Sequence, residues 1–262
     1  MDIDNFYYDN QPDGLGSQFL PPKGIQYWRS SDRESDWNDF VKNYKSEYYG
    51  KIKEDSVEEF IDYYTNNPIE YKFNSVGLRD DELSTKPKEV DVYLGCSFTS
   101  GLGLHRDKIW SSLVSKELNF PSINAGIEGT GVSTQYRTLM YLLKHFKIRN
   151  VFHFIPLTYT RWEWWDGYNQ RWDSWNAGHP NITLPFSDME NISLQTHVFL
   201  KAMVQVCSER NINYYNIVNW PKKNMNNTMI EATARDLKHG GHYMHKMLST
   251  QFLEKINIKS IL

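Results

Sequence analysis

From Val90 onward the sequence alternates short apolar runs rich in β-branched and aromatic residues with segments of helical periodicity, and this alternation limits the chain to few architectures. The β-type runs are Val90–Gly95, Ser122–Asn124, Asn150–Ile155 and Ile212–Val218. Between the second and third, Val132, Tyr136, Leu139, Leu143 and Phe146 mark one face of a helix. Phe199, Ala202, Met203 and Val206 do the same before the fourth, and Met244, Met247 and Leu248 mark a last helix. Strand and helix in regular succession imply right-handed crossovers, a parallel sheet and helices on both of its faces. In such sheets binding sites form at the carboxyl ends of the strands.

The stretch before this alternation is different in texture. Residues 1–35 hold Asn10, Pro12, Gly14, Gly16 and Pro21-Pro22, the composition of an irregular arm outside the core. Trp37, Phe40, Val41 and Tyr44 then fall on one helix face, and Phe60, Tyr63 and Tyr64 on a second, so residues 1–72 are expected to be an arm and helices packed on a main domain spanning 73–262. With 262 residues the chain is long enough for one such core plus an extension. A net charge of -3 and the lack of a basic tract give no electrostatic reason to expect nucleic acid. Cys96 and Cys207 are the two cysteines, each inside an apolar stretch, which argues for a reducing compartment without disulfides. Met1-Asp-Ile-Asp does not resemble a secretory leader, and no apolar run approaches the roughly 18 residues of a membrane span. A soluble, cytoplasmic protein without a membrane span is therefore the expectation. The sequons at Asn181, Asn191 and Asn226 would matter only in a secretory pathway.

Three stretches could carry chemistry. Leu94-Gly-Cys-Ser97-Phe98 puts a serine on the turn after the first strand, either as an exposed nucleophile or as an ordinary turn residue. Asn124-Ala-Gly126-Ile-Glu-Gly129-Thr-Gly131 is rich in glycine, which suits backbone N–H groups aimed into a site, or simply a strand-to-helix turn. Asp236-Leu-Lys-His239 places a carboxylate and an imidazole three residues apart, where the first could orient the second and stabilise its charged form; a solvated loop would look the same.

Taken in order, these stretches resemble the blocks of the SGNH/GDSL hydrolase superfamily. Gly95-Cys96-Ser97-Phe98 is similar to the first block, Asn124–Gly129 to the second and Asp236–His239 to the fifth; Asn74–Glu82 resembles a segment that precedes the nucleophile in many members. The resemblance covers about residues 73–257. It implies a three-layer α/β/α sandwich around a parallel, flavodoxin-like sheet, with Ser97 as nucleophile, His239 as base, Asp236 as its partner, and the backbone N–H groups of Ser97 and Gly129 in an oxyanion hole. Two positions depart from the pattern. Cys96 stands where the family has an acid, and the third block, which should offer an asparagine after the third strand, reads Ile155-Pro-Leu-Thr158-Tyr159-Thr160-Arg161. Thr158 falls nearest the place of that donor, followed by Tyr159 and Arg161.

Trp162, Trp164, Trp165, Trp172 and Trp175 follow within fifteen residues, counting from Arg161. Such rings, together with Arg161 and Tyr159, suit stacking against a sugar, or form a lid or interface that buries its own tryptophans. His239, His242 and His245 have a spacing that invites a zinc site, but no cysteine or carboxylate completes it, so no metal and no cofactor is expected. The resulting expectation is a serine esterase or acylhydrolase that removes acyl groups, acetyl foremost, from a carbohydrate or another ester. An O-acyltransferase using the same serine, or a non-catalytic carbohydrate-binding or structural relative, would carry the same residues.

Overall fold

A run such as Val90-Asp-Val-Tyr-Leu94 presents apolar side chains on both faces, so it is stable only in the middle of a covered sheet. In the computed structural model, which describes residues 23–43, 55–156, 161–166, 171–176, 189–218 and 228–259, it occupies that place. The strands are β1 (Gly24–Gln26), β2 (Tyr71–Phe73), β3 (Glu89–Gly95), β4 (Ser122–Gly126), β5 (Lys147–Phe154), β6 (Arg161–Asp166), β7 (Arg171–Asn176) and β8 (Asn213–Ile217). The helices are α1 (Glu34–Asn43), α2 (Asp55–Asn66), α3 (Ser97–Ser100), α4 (Trp110–Leu118), α5 (Val132–His145), α6 (Met189–Glu209), α7 (Met229–Ala232) and α8 (His242–Lys259). They group into two compact units interleaved along the chain: Phe73–Ser100 with Phe120–Asn219, and Gly24–Lys72 with Gly101–Asn119 and Trp220–Leu262.

The first unit is built on a sheet of order β4-β3-β5-β8, parallel throughout. Counted by their appearance in that sheet the strands run 2-1-3-4, the flavodoxin-like order, with its switch point between β3 and β5. The expected α/β class, a parallel sheet flanked by helices, is the one observed. Val90, Val92 and Leu94 share one face with Val151 and pack against Leu139 and Leu142 of α5 and Met203 and Cys207 of α6. The other face carries a stack across three strands, Tyr93 on Phe152 at 5.1 Å and Phe152 on Tyr215 at 5.2 Å.

Three features differ from the sequence reading. β4 continues to Gly126, because Ala125 and Gly126 are small enough to pair with Leu94 and Gly95 where the sequence suggested a turn. β5 begins at Lys147, three residues early, since α5 ends at His145 and leaves no linker. The tryptophan-rich segment is an antiparallel hairpin, β6 with β7, in which Trp162 pairs with Trp175 and Trp165 with Trp172.

In the second unit β1 pairs with β2, and α4 packs on α8 with Trp110 stacked on Phe252 at 4.6 Å. Trp37, Phe40, Phe60 and Tyr64 form an aromatic cluster of edge and tilted contacts between α1 and α2. Val41 is not part of it: α1 buries a stripe only one residue wide, and Val41 is exposed. The expected irregular arm also needs correction from residue 23 onward, because it supplies β1 and the buried Asp32. Among the described residues no helix is long and apolar enough to cross a membrane.

Phe152 is the middle ring of the stack, so Phe152→Ala is expected to cost about 3–5 kcal/mol through lost transfer energy and the cavity left behind. Urea titration should show a lower midpoint at unchanged slope, and a loss under about 1 kcal/mol would mean that the neighbouring rings close the gap.

Candidate active site

The turn that carries Ser97 is held by close backbone packing and by buried polar groups. Gly95 has φ +155°, and a Cβ there would lie 2.0 Å from Thr99 Oγ1, so only glycine fits. At Gly126 a Cβ would lie 2.3 Å from the Ser100 nitrogen. The N–H groups of Thr99 and Ser100 both donate to Cys96 O, at 2.9 and 3.0 Å, which closes the short α3 immediately behind β3. Asn124 Nδ2 donates to Thr99 O at 2.9 Å and Arg79 Nη1 to Ser100 O at 3.1 Å. Asp80 accepts from Asn124 N at 2.8 Å and pairs with Lys86 at 3.0 Å. The segment 74–82 therefore serves as a brace for the serine turn. Cys96, immediately before Ser97, is buried, and burial pushes its thiol up. Gly129 lies after β4 with φ +74°, a conformation that favours glycine.

Beside this turn, at the β3–β5 switch point, lies a cavity of about 20 Å³. Cys96, Thr130, Gly131, Gln135, Pro156 and Arg161 contribute to its lining. Arg161 comes from the start of β6, and the next inward residue, Glu163, anchors that strand. Its carboxylate accepts from the Ser133 hydroxyl, from Thr134 N at 2.8 Å and from the Thr134 hydroxyl, and Arg137 donates to both hydroxyls. An anion at the first turn of α5 is stabilised by the unpaired N–H groups there.

The acid and base candidates meet in the second unit. Residues 233–240 form a loop closed by a bridge between Thr233 and Gly240 and by Ala234 N to His239 O at 3.1 Å. Inside it Asp236 Oδ1 accepts from the N–H groups of Lys238 and His239 at 3.1 and 3.0 Å, while Oδ2 lies 2.6 Å from His239 Nδ1. A carboxylate so placed holds the Nδ1–H tautomer and leaves Nε2 as the basic nitrogen. Oδ2 also accepts from the Ser31 hydroxyl at 2.7 Å. Burial acts to raise the Asp236 carboxyl, but hydrogen bonding from His239, its charge and the bond from Ser31 outweigh it, so the group titrates below the ordinary aspartate range.

The neighbouring Arg235 fixes the loop from behind. Its guanidinium donates to Asp32 at 2.6–3.1 Å and to Tyr27 O at 2.6 Å, and it lies 4.0 Å from the Trp28 ring centroid. The Tyr71 hydroxyl gives Asp32 a further bond at 2.5 Å and accepts from Gly103 N at 2.8 Å. Sequence reasoning missed Ser31, Asp32 and Tyr71, since no local spacing links Ser31 and Asp32 to partners 205 and 203 positions away, or Tyr71 to Asp32 across 39.

Of the other candidates, His245 Nδ1 accepts from Trp110 N at 3.1 Å, which ties α8 to the start of α4. His242 is pushed down to about 4 by burial and by Lys108 and His105 nearby. Among the described residues no three His, Cys, Asp or Glu side chains are grouped to hold a metal. Thr158 and Tyr159 lie outside the described residues, as do the side chains of Trp162, Trp164, Trp165, Trp172 and Trp175.

Strand order and the helices that flank the sheet define an α/β protein, in which the serine turn belongs to the first unit and the Asp–His loop to the second. No family model matches the sequence, and no curated protein matches it. Two solved structures are similar in chain course: a G-D-S-L family protein from Desulfitobacterium hafniense DCB-2, 12% identical with a TM-score of 0.32, and a member of the lipolytic protein G-D-S-L family from Veillonella parvula DSM 2008, 12% identical with a TM-score of 0.34. Each alignment covers 63% of this chain and 97% or 96% of the other.

Two outcomes are expected from the Asp–His loop. Asp32→Ala leaves the Arg235 guanidinium buried without its counter-ion, which should cost about 3–5 kcal/mol in urea unfolding; a loss under 1 kcal/mol would show that water or Tyr27 O compensates. For Asp236, a folded-state pKa below the unfolded one means stability that is fully present above the ordinary carboxylate range and is lost as pH falls through the folded value. The difference in urea midpoint between the native protein and Asp236→Asn should therefore be largest near neutral pH and shrink below about pH 4, and a constant difference would contradict the lowered pKa.

Proposed function

We propose that the chain is a serine esterase or acylhydrolase of the SGNH/GDSL type. The observation that carries this reading is the Asp236–His239 pair at 2.6 Å, because a buried carboxylate satisfied by two backbone N–H groups and aimed at Nδ1 does for an imidazole what general-base catalysis needs. The turn at the end of β3 supports it by offering Ser97 at the edge of the sheet where parallel α/β proteins build their sites. In this reading Ser97 Oγ attacks an ester carbonyl and His239 Nε2 takes its proton. The carbonyl oxygen becomes an oxyanion held by the N–H groups of Ser97 and Gly129, and collapse expels the alcohol, which takes the proton from His239. Water, activated by the same base, then releases the acid from the acyl-enzyme.

An O-acetylated carbohydrate is the substrate class proposed, on the strength of five tryptophans in the hairpin that follows β5. The third oxyanion donor suggested by the sequence, Thr158, stays a proposal of the sequence alone.

A fluorophosphonate probe is expected to label the native protein and not Ser97→Ala, with 4-nitrophenyl acetate hydrolysis lost in Ser97→Ala and reduced by orders of magnitude in His239→Ala. Labelling that persists in Ser97→Ala would remove the serine from the reaction. Acetyl release from acetylated xylan or chitin fragments, compared with release from a simple acetyl ester, tests the carbohydrate half separately.

A further inference from the structure

The asparagine expected after β5 to complete an oxyanion hole is absent from Ile155-Pro-Leu-Thr158, yet a carboxamide reaches the neighbouring cavity from another element. Gln135, in the second turn of α5, is 4% exposed and lines the cavity together with Cys96, which precedes the serine, Gly131, which follows the second-strand turn, and Pro156, which follows β5. These three chain segments are the ones from which the serine reading draws its donors. A volume of about 20 Å³ holds roughly one water.

The orientation of that carboxamide is fixed by a buried chain of hydrogen bonds. Gln135 Oε1 lies 2.5 Å from His153 Nε2, and His153 Nδ1 lies 2.6 Å from the Tyr214 hydroxyl. A carboxamide oxygen only accepts, so Nε2 carries the ring proton, Nδ1 is the acceptor and Tyr214 donates. Burial pushes His153 down to about 3 and the Tyr214 phenol up, so both groups keep this protonation throughout the working pH range. The chain then has a single polarity, running from the phenol through the imidazole to the Gln135 carboxamide. Packing alone does not call for it, because an imidazole in the middle of an apolar sheet face costs desolvation that an aromatic hydrocarbon would avoid.

We propose that Gln135 supplies the side-chain donor to the oxyanion formed at Ser97, replacing the missing third-block asparagine, and that His153 and Tyr214 are its positioning residues. This rests on the serine-hydrolase reading above. A side-chain N–H that meets negative charge as it develops stabilises the transition state more than the substrate, so its loss falls on kcat. The Arg161 side chain lining the same cavity adds a cation that favours an anion there.

The test uses the whole chain with 4-nitrophenyl acetate. Gln135→Glu keeps an acceptor for His153 but turns an oxygen toward the cavity, and Gln135→Met removes the amide without adding charge. Both are expected to lower kcat by about 10²–10³-fold with KM changed by less than about threefold. Tyr214→Phe should lower kcat by about tenfold in the native background and have no further effect in Gln135→Met, a non-additivity that a separate structural role would not produce. If Ser97→Ala abolishes turnover while either Gln135 variant, folded by its urea midpoint, keeps kcat within about threefold, the proposal is overturned and the serine reading stands. If Tyr214→Phe adds fully to Gln135→Met, the positioning chain is overturned. Turnover that survives Ser97→Ala sinks both the proposal and the reading beneath it.

Discussion

The ends of β3 and β4 approach the serine turn so closely that neither Gly95 nor Gly126 has room for a methyl group. Most of what surrounds Ser97 follows from that contact. Because the turn sits against the sheet backbone, its carbonyls cannot reach water, and each finds an acceptor's partner inside the protein: Thr99 O takes Asn124 Nδ2 and Ser100 O takes Arg79 Nη1. Asn124 and Arg79 must then be fixed in turn, which is the role of Asp80 and of the segment from Asn74. Two glycines thus tie the segment from Asn74, the serine turn and the end of β4 into a single arrangement.

The polar groups around the candidate acid follow a different logic. Asp236 is surrounded by donors only, two backbone N–H groups, the Ser31 hydroxyl and an imidazole, which favours its ionised form despite burial. Asp32 too meets donors, a guanidinium and a phenol. Placed side by side in sequence with Asp236, Arg235 carries the one to the other, so the two carboxylates belong to one network in which each negative charge has its own compensating donors. Such networks stabilise little over an apolar core of equal volume but lose several kcal/mol when one member is removed.

The parallel sheet was legible because Val90–Gly95 and its companions are β-rich on both faces and are separated by helices of clear period. The Asp–His pair was legible as well, since both residues sit on one short loop and need no distant partner to meet. What escaped notice depends on residues far apart or on context. Ser31 and Asp32 gain meaning only from a partner about two hundred residues away. His153 reads in sequence as one polar residue in an apolar strand, and Gln135 as one of several polar residues on α5; only the register of β5 against α5 joins them. The hairpin β6–β7 was not legible as a strand pair, because adjacent Trp164 and Trp165, and Trp172 and Trp175 three apart, break the period-two alternation of a half-buried strand.

The bond between Asp32 and Arg235 spans 203 positions of sequence. During synthesis the chain emerges from its amino end, so Asp32 leaves the ribosome long before the arginine that neutralises it, and Trp28 and Tyr71 wait with it. The first unit has its four strands in hand by Ile217, whereas the loop of Asp236 and His239 cannot close until nearly the last helix is made. Loop closure over such a distance is slow relative to local pairing. A nascent chain therefore passes through an interval in which the sheet can form but the acid–base pair cannot, and the chemistry proposed for the protein waits on the segment that follows β8.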